Sequence, residues 1–64
     1  MTYTIYLVIA RNINTKAIFH HSYLSASDAD AMYDGFLGEG RWNVEELRVQ
    51  RGAVSGTIYL RRNF

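Results

Sequence analysis

The chain has 64 residues, with seven Lys and Arg against six Asp and Glu, and its formal net charge of +1 is too balanced to indicate nucleic-acid binding by itself. It contains no cysteine, which excludes disulfides and thiolate zinc sites and is typical of the reducing cytoplasm. We therefore expect one cytoplasmic domain over residues 1–64, of modest stability because so short a chain buries only about 60% of its unfolded surface.

The chain begins with a pattern typical of a β-hairpin. Residues 2–11 are rich in β-branched and aromatic side chains, and their apolar run is too short to cross a bilayer, so we expect no membrane contact. A turn with two asparagines follows at residues 12–16, and residues 17–24 return as the second strand. The odd positions of the first strand form an apolar row that predicts its core face, namely Tyr3, Ile5, Leu7 and Ile9.

An amphipathic helix is predicted over residues 27–39. Its candidate N-caps are Ser25 and Ser27, each followed three residues later by an aspartate, and Gly38 and Gly40 mark its end. The helical spacing predicts one buried apolar stripe, made of Ala29, Met32, Tyr33, Phe36 and Leu37.

All charges of this helix are negative. Asp30 and Asp34 lie one turn apart, on the face opposite the stripe, and like charges at this spacing repel. Asp34 and Glu39 also approach the helix C-terminus, where the helix dipole disfavours anions. Because these residues do not favour the helix itself, we interpret Asp30, Asp34 and Glu39 as a candidate binding surface for a basic region of a protein partner.

Residues 41–51 form the third strand, in which the alternation changes phase. Apolar side chains have even numbers before Glu45 and odd numbers after Glu46. A β-bulge at these two glutamates would restore one buried row.

The last strand is predicted over residues 57–62. Ile58 and Leu60 are expected to point inward. Phe64 is expected to pack under the helix, and the alternative is that it projects as a binding anchor. The resulting β-β-α-β-β order predicts a two-layer α+β fold, in which one amphipathic helix packs on one face of an antiparallel four-stranded sheet. The other sheet face must meet solvent or a partner.

Aromatic and basic residues recur on three of these strands. We expect them to face away from the helix, where they would bind a protein or stack single-stranded nucleic acid. The residues of this second candidate site are Tyr6, Arg48, Tyr59 and Arg61.

The residues favour neither catalysis nor a metal site. His20 and His21 are neighbours on a strand and should point to opposite faces, so they cannot readily share one metal. The serines near the helix start are explained by its caps, and a sheet with one helix seldom holds the concave pocket that acid–base catalysis needs. We therefore expect a protein that is not an enzyme and has no cofactor.

Two segments carry a resemblance to a known group of proteins. The serine-rich cap Ser25–Asp28 before an acidic helix, followed by the strand Trp42–Val49, resembles the layout of small early proteins of bacteriophages, including the RNA-polymerase inhibitors of T7-type phages. The resemblance covers about residues 3–50, and the strand at 57–62 is an addition. It implies a small protein that binds and modulates a larger bacterial host protein, or that inhibits or triggers a defence system.

Three functions therefore remain open from the sequence. The first is non-enzymatic binding to a larger host protein. The second is nucleic-acid binding through the aromatic and arginine-bearing sheet face. The third is a structural homo-oligomer, such as a homodimer, in which edge strands pair between copies.

Overall fold

A computed structural model describes residues 1–64 and has the predicted β-β-α-β-β order. The four strands form one antiparallel sheet in the order β2-β1-β3-β4, so both β2 and β4 are edge strands. The two-layer α+β prediction is thereby confirmed. The elements are β1 (Tyr3–Asn12), β2 (Ile18–Tyr23), α1 (Ala26–Glu39), β3 (Trp42–Arg51) and β4 (Gly56–Arg62).

The turn between β1 and β2 is organised by one asparagine side chain. The Oδ1 atom of the buried Asn12 accepts hydrogen bonds from the backbone N–H groups of Asn14 (2.9 Å) and Thr15 (3.0 Å). Lys16, with φ of 65°, adopts the left-handed conformation that completes the reversal. Asn12 thus favours the turn through side-chain bonding to the backbone, a common role of asparagine in turns.

Both ends of α1 lie where the sequence indicates, but only the C-terminal end forms as expected. Ser25 is the N-cap residue, yet its Oγ atom contacts the Ser27 Oγ at 2.8 Å and caps no backbone N–H. Gly40 ends the helix in the left-handed conformation, with φ of 72°, and its N–H donates to the Leu37 carbonyl. No helix in the structure has the length and apolar character that crossing a membrane requires.

The core lies between α1 and the even-numbered side chains of β1, which reverses the predicted orientation of this strand. Its five buried residues are packed against a ring of aromatic side chains, in which Phe36 contacts Phe19 (4.9 Å between ring centroids) and Trp42 (4.8 Å). These rings fill much of the space under α1, and the small side chains beneath the helix leave room for them. The buried residues are Val8, Ala10, Ala29, Tyr33 and Val44.

The apolar stripe of α1 is narrower than its spacing predicts. Ala29 and Tyr33 are buried and Phe36 is half-buried, whereas Met32 and Leu37 are exposed. The helix rests on the sheet along one line of residues, because the sheet beneath it offers only a narrow apolar surface.

The predicted bulge occurs beside Glu46, but its extra residue belongs to β4. The pairing of β1 with β3 runs without interruption, so β3 keeps its alternation and presents apolar side chains on both faces. In the β3–β4 ladder, Glu46 pairs with Arg61 and Leu47 pairs with Tyr59, which leaves Leu60 as the inserted residue. Residues on either side of Leu60 therefore point to opposite sheet faces. Ile58 lies on the helix side, opposite Arg48, as expected, but it is about half exposed and does not join the core. The expected inward position of Leu60 is wrong, because Leu60 is the inserted residue and is also about half exposed.

Candidate functional sites on the two sheet faces

The sheet face opposite α1, here called the open face, has an aliphatic centre. The odd-numbered side chains of β1, which the sequence assigned to the core, lie on it because the even row faces the helix. They meet the odd-numbered side chains of β3, so that Ile5 lies opposite Val49 and Leu7 lies opposite Leu47. Leu47 is buried, at 7% exposed, and Ile5, Leu7 and Val49 are partly buried. The only helix of the chain lies on the other side of the sheet.

One end of the open face carries a cleft of about 320 Å³. Phe64 forms one wall and is 57% exposed, with its ring 5.4 Å from the Arg62 guanidinium, so the expectation that it packs under the helix is wrong. The C-terminal segment is held here by Asn63, which bonds to the backbone of β3. The cleft is lined by Ile9, Arg11, Asn43, Glu45 and Phe64.

The four residues of the predicted aromatic and basic sheet site are not brought together. Only Tyr59 lies on the open face, where its hydroxyl donates a 3.0 Å hydrogen bond to Glu45. Tyr6 packs against the core, and Arg48, opposite Tyr6 in the ladder, lies on the same helix-side face. Arg61 also lies on the helix side, because the bulge at Leu60 separates it from Tyr59.

Arg61 is instead the centre of a charged group between β4 and α1, here called the Arg61 cluster. Its guanidinium lies 2.9 Å from Glu46, 3.4 Å from Asp30 and 3.5 Å from Asp34. It also lies over the ring of Tyr33, 4.0 Å from the centroid, in cation–π geometry. One cation thus joins the edge strand to the helix, although α1 packs mainly over β1, β2 and β3.

The cluster gives the acidic helix residues partners within the chain. Asp30 and Asp34 flank the buried stripe of α1 and do not oppose it, since each directly follows a buried residue. Glu39 lies 3.5 Å from Arg41 and accepts a 3.2 Å hydrogen bond from the Trp42 indole. These acids therefore have a structural role, while their role in binding a partner stays a prediction. The sequence offered no local signal that Arg61 would reach them.

Glu46 is the buried member of the cluster. Its side chain is 1% exposed, and its Oε2 atom has no hydrogen-bond partner. Burial raises the pKa of Glu46 above its ordinary 4.5, and hydrogen bonding to Asp30 raises it further, while Arg61 opposes both.

Replacing Glu46 by glutamine is expected to remove part of the pH dependence of folding. Because the folded-state pKa of Glu46 is raised, the native state binds the proton more tightly than the unfolded state does. Its contribution to stability is full below about pH 4.5 and is lost as pH rises through the folded pKa. Glu46→Gln buries no charge at any pH, and we expect it to be about 1 kcal/mol more stable than the wild type at neutral pH.

Urea unfolding of both proteins at about pH 4.5 and about pH 7.5 measures this difference. Glu45→Gln is the matched control, since Glu45 precedes Glu46 on the opposite sheet face and lies outside the Arg61 cluster. Equal pH dependence in the wild type and in Glu46→Gln would contradict the expectation.

The two histidines lie on opposite faces, as predicted. His20 is opposite Ile9 on the open face, whereas His21 is opposite Val8 on the helix side. The His21 ring contacts Tyr23 edge to face, with 4.7 Å between centroids. His21 is exposed, and its ring contacts aromatic side chains of β2 without joining the core.

Comparison with known proteins gives no assignment. No protein-family model, no curated protein and no solved structure matches this chain.

Proposed function

We propose that this protein is a non-enzymatic binding module that docks a larger protein through its open face. The observation that carries the proposal is the aliphatic centre on the two middle strands, which the helix leaves uncovered. Contiguous apolar surface on a small domain is typical of protein–protein interaction sites. The five residues of this centre are Ile5, Leu7, Ile9, Leu47 and Val49.

The arrangement favours a protein over nucleic acid as the partner. Surfaces that bind single strands stack bases on aromatic side chains, and the middle strands of this face carry aliphatic side chains at their centre. Tyr59 lies on edge strand β4, while Tyr6 and Arg61 belong to the helix side. Only part of the residues predicted to bind nucleic acid therefore lie on the open face.

The resemblance to small phage early proteins suggests which partner to seek. It makes a larger bacterial protein, either a host enzyme or a component of a defence system, the first candidate. In this proposal the protein acts in the bacterial cytoplasm and inhibits or triggers its target. Pairing of copies through the two edge strands is the alternative that the sheet order leaves available.

Affinity capture with face-specific variants tests the proposal. Tagged wild-type protein, Leu7→Gln and Leu37→Gln are each exposed to bacterial lysate with and without nuclease treatment, and stoichiometry is read by mass spectrometry. Leu37 is the matched control because it is an exposed leucine on α1, away from the open face. We expect wild type and Leu37→Gln to hold one stoichiometric protein and Leu7→Gln to hold about tenfold less, since removing an apolar contact costs about 1.4 kcal/mol or more.

Other results would contradict the proposal. Equal capture by Leu7→Gln, with folding verified by circular dichroism, would exclude the open face as the docking surface. Loss of the captured material on nuclease treatment would assign the protein to nucleic-acid binding. Capture of further copies of this protein, and of no other protein, would indicate the homo-oligomer.

A further inference from the structure

The open face has a rim of predominantly positive charge. This charge limits the kind of partner that the proposed function requires. Arg11 extends the β1 row beyond Ile9, Arg51 lies opposite Tyr3, and Arg62 lies opposite Glu45. None of these three arginines takes part in an ion pair, whereas Glu45 already accepts a hydrogen bond from Tyr59. The rim therefore carries three arginines against one carboxylate, that of Glu45, around an apolar centre.

The cleft beside Arg11 offers a specific place for an anionic side chain. Its apolar walls are Ile9 and Phe64. The Arg11 guanidinium and the Asn43 amide line it as well, together with the Glu45 carboxylate, which accepts a hydrogen bond from the Tyr59 hydroxyl. A guanidinium binds a carboxylate through two parallel hydrogen bonds, and an adjoining apolar wall accommodates the methylene groups that carry it. At about 320 Å³ the cleft holds one or two side chains and not a whole folded domain.

The size of the open face indicates that it binds a single segment of a partner protein. Neighbouring strands lie about 4.8 Å apart, and each strand rises about 3.4 Å per residue. The flat area of the four-stranded face is therefore roughly 500 Å². A standard-size interface buries about 800 Å² on each partner, so this face is small for a broad docking surface. One amphipathic helix of three to four turns, about 20 Å long, matches it better.

We propose that the open face binds an acidic amphipathic segment of its partner protein. The apolar side of that segment packs on the aliphatic centre, and a carboxylate enters the cleft at Arg11. This inference rests on the proposed protein-binding function and adds the chemistry of the partner.

A second copy of the chain does not meet this description. Face-to-face packing of two copies would bring one arginine-bearing rim against another, and like charges across an interface are unfavourable. Of the acids that could offset them, only Glu45 lies on the open face. Asp30 and Asp34 are on α1, on the far side of the sheet, and are paired with Arg61.

Two designed peptides provide the test without knowledge of the natural partner. Both are alanine-based helices of about 14 residues with leucines at i, i+3, i+4 and i+7, and they differ only in carrying glutamates or lysines on the polar side. Each is titrated into the full ¹⁵N-labelled chain, and amide shifts are followed by NMR. We expect the glutamate peptide to bind at least about tenfold more tightly than the lysine peptide, with shifts centred on Leu7, Leu47 and Val49.

Two single charge reversals identify the contact. Arg11→Glu is expected to remove the preference for the glutamate peptide, whereas Arg48→Glu is expected to preserve it. Both arginines are exposed, lie on the middle strands and form no ion pair, but Arg48 is on the helix side. The two variants therefore change net charge equally and differ only in face.

The outcomes separate this inference from the proposed function. Equal binding of both peptides on the open face would overturn the acidic-segment inference and leave protein binding in place. Binding of neither peptide, or shifts confined to α1, would also overturn it, and the capture experiment with Leu7→Gln would then decide the proposed function independently. Concentration-dependent dimerisation in sedimentation, or tighter binding of an oligothymidine probe, would replace the acidic segment by a second copy or by nucleic acid.

Discussion

Replacing Arg61 by alanine is expected to lower the free energy of unfolding by about 2 kcal/mol at neutral pH. The change removes the only cation in contact with the buried Glu46 and leaves Asp30 and Asp34 one turn apart without compensation. It also removes the guanidinium from the ring of Tyr33. Since Arg61 is 40% exposed, solvent screens part of the ion pairing, and the loss falls below that of a fully buried pair.

The loss of stability in Arg61→Ala should depend on pH, and it should exceed the loss caused by alanine at an arginine without an ion pair. In Arg61→Ala the carboxyl of Glu46 can be protonated in acid, so the cost of the variant should be smaller at about pH 4.5 than at about pH 7.5. Arg48→Ala is the matched control, because Arg48 is exposed without an ion pair and should change stability by less than about 0.5 kcal/mol. Chemical unfolding of the variants at the two pH values provides the measurement. Equal losses for both alanine variants would show that the cluster adds no stability.

Replacing Gly52 by alanine is expected to cost about 2 kcal/mol. Gly52 has φ of 136°, a conformation that L side chains rarely adopt. A Cβ atom there would also lie 2.7 Å from the Thr2 side chain and 2.8 Å from the Met1 carbonyl oxygen. Part of the steric conflict can be relieved by displacement of the exposed Met1, but the backbone strain remains.

Thermal or urea unfolding of Gly52→Ala, compared with Gly56→Ala, isolates this effect. Gly56 opens β4 after the same loop, has no positive φ, and has no atom within 4 Å of the position that an added Cβ would occupy. Alanine at Gly56 should therefore be neutral or slightly stabilising. A loss at Gly56 as large as that at Gly52 would contradict the explanation from backbone conformation and contact with the N-terminus.

The Arg61 cluster changes the interpretation of the acidic helix. In the sequence, the uncompensated Asp30 and Asp34 indicated a partner, because they disfavour an isolated helix. In the fold, a β4 residue far from them along the chain supplies their counter-charge. An external basic partner would have to compete with Arg61 for these carboxylates, whereas a partner on the open face would not.

The sequence by itself determined the order of the elements and most of their ends. Hydrophobic alternation, the asparagine-containing turn and the left-handed Gly40 are local signals, and each acts over a few neighbouring residues. The choice of an α+β fold follows from that order, because four strands and one helix have few ways to cover a sheet face. The opposite orientations of His20 and His21 follow in the same way from the two-residue period of a strand.

Only the tertiary structure decided which face of β1 is buried. Both rows of this strand are largely apolar, so the alternation does not indicate which of the two rows is buried. Aromatic rings from all three neighbouring strands and from α1 itself fill the space under the helix, and this favours the small Ala10 over the larger odd-numbered side chains. The open face, with its aliphatic centre, results from that long-range volume constraint.

The same is true of β4. A single inserted residue, Leu60, places Tyr59 and Arg61 on opposite faces, although their spacing in the sequence assigns them to one face. Arg61 thereby reaches the carboxylates of α1, and Phe64 lies on the open face beside Arg62. A bulge depends on how two strands pair, and pairing between strands is not encoded in the pattern of either strand alone.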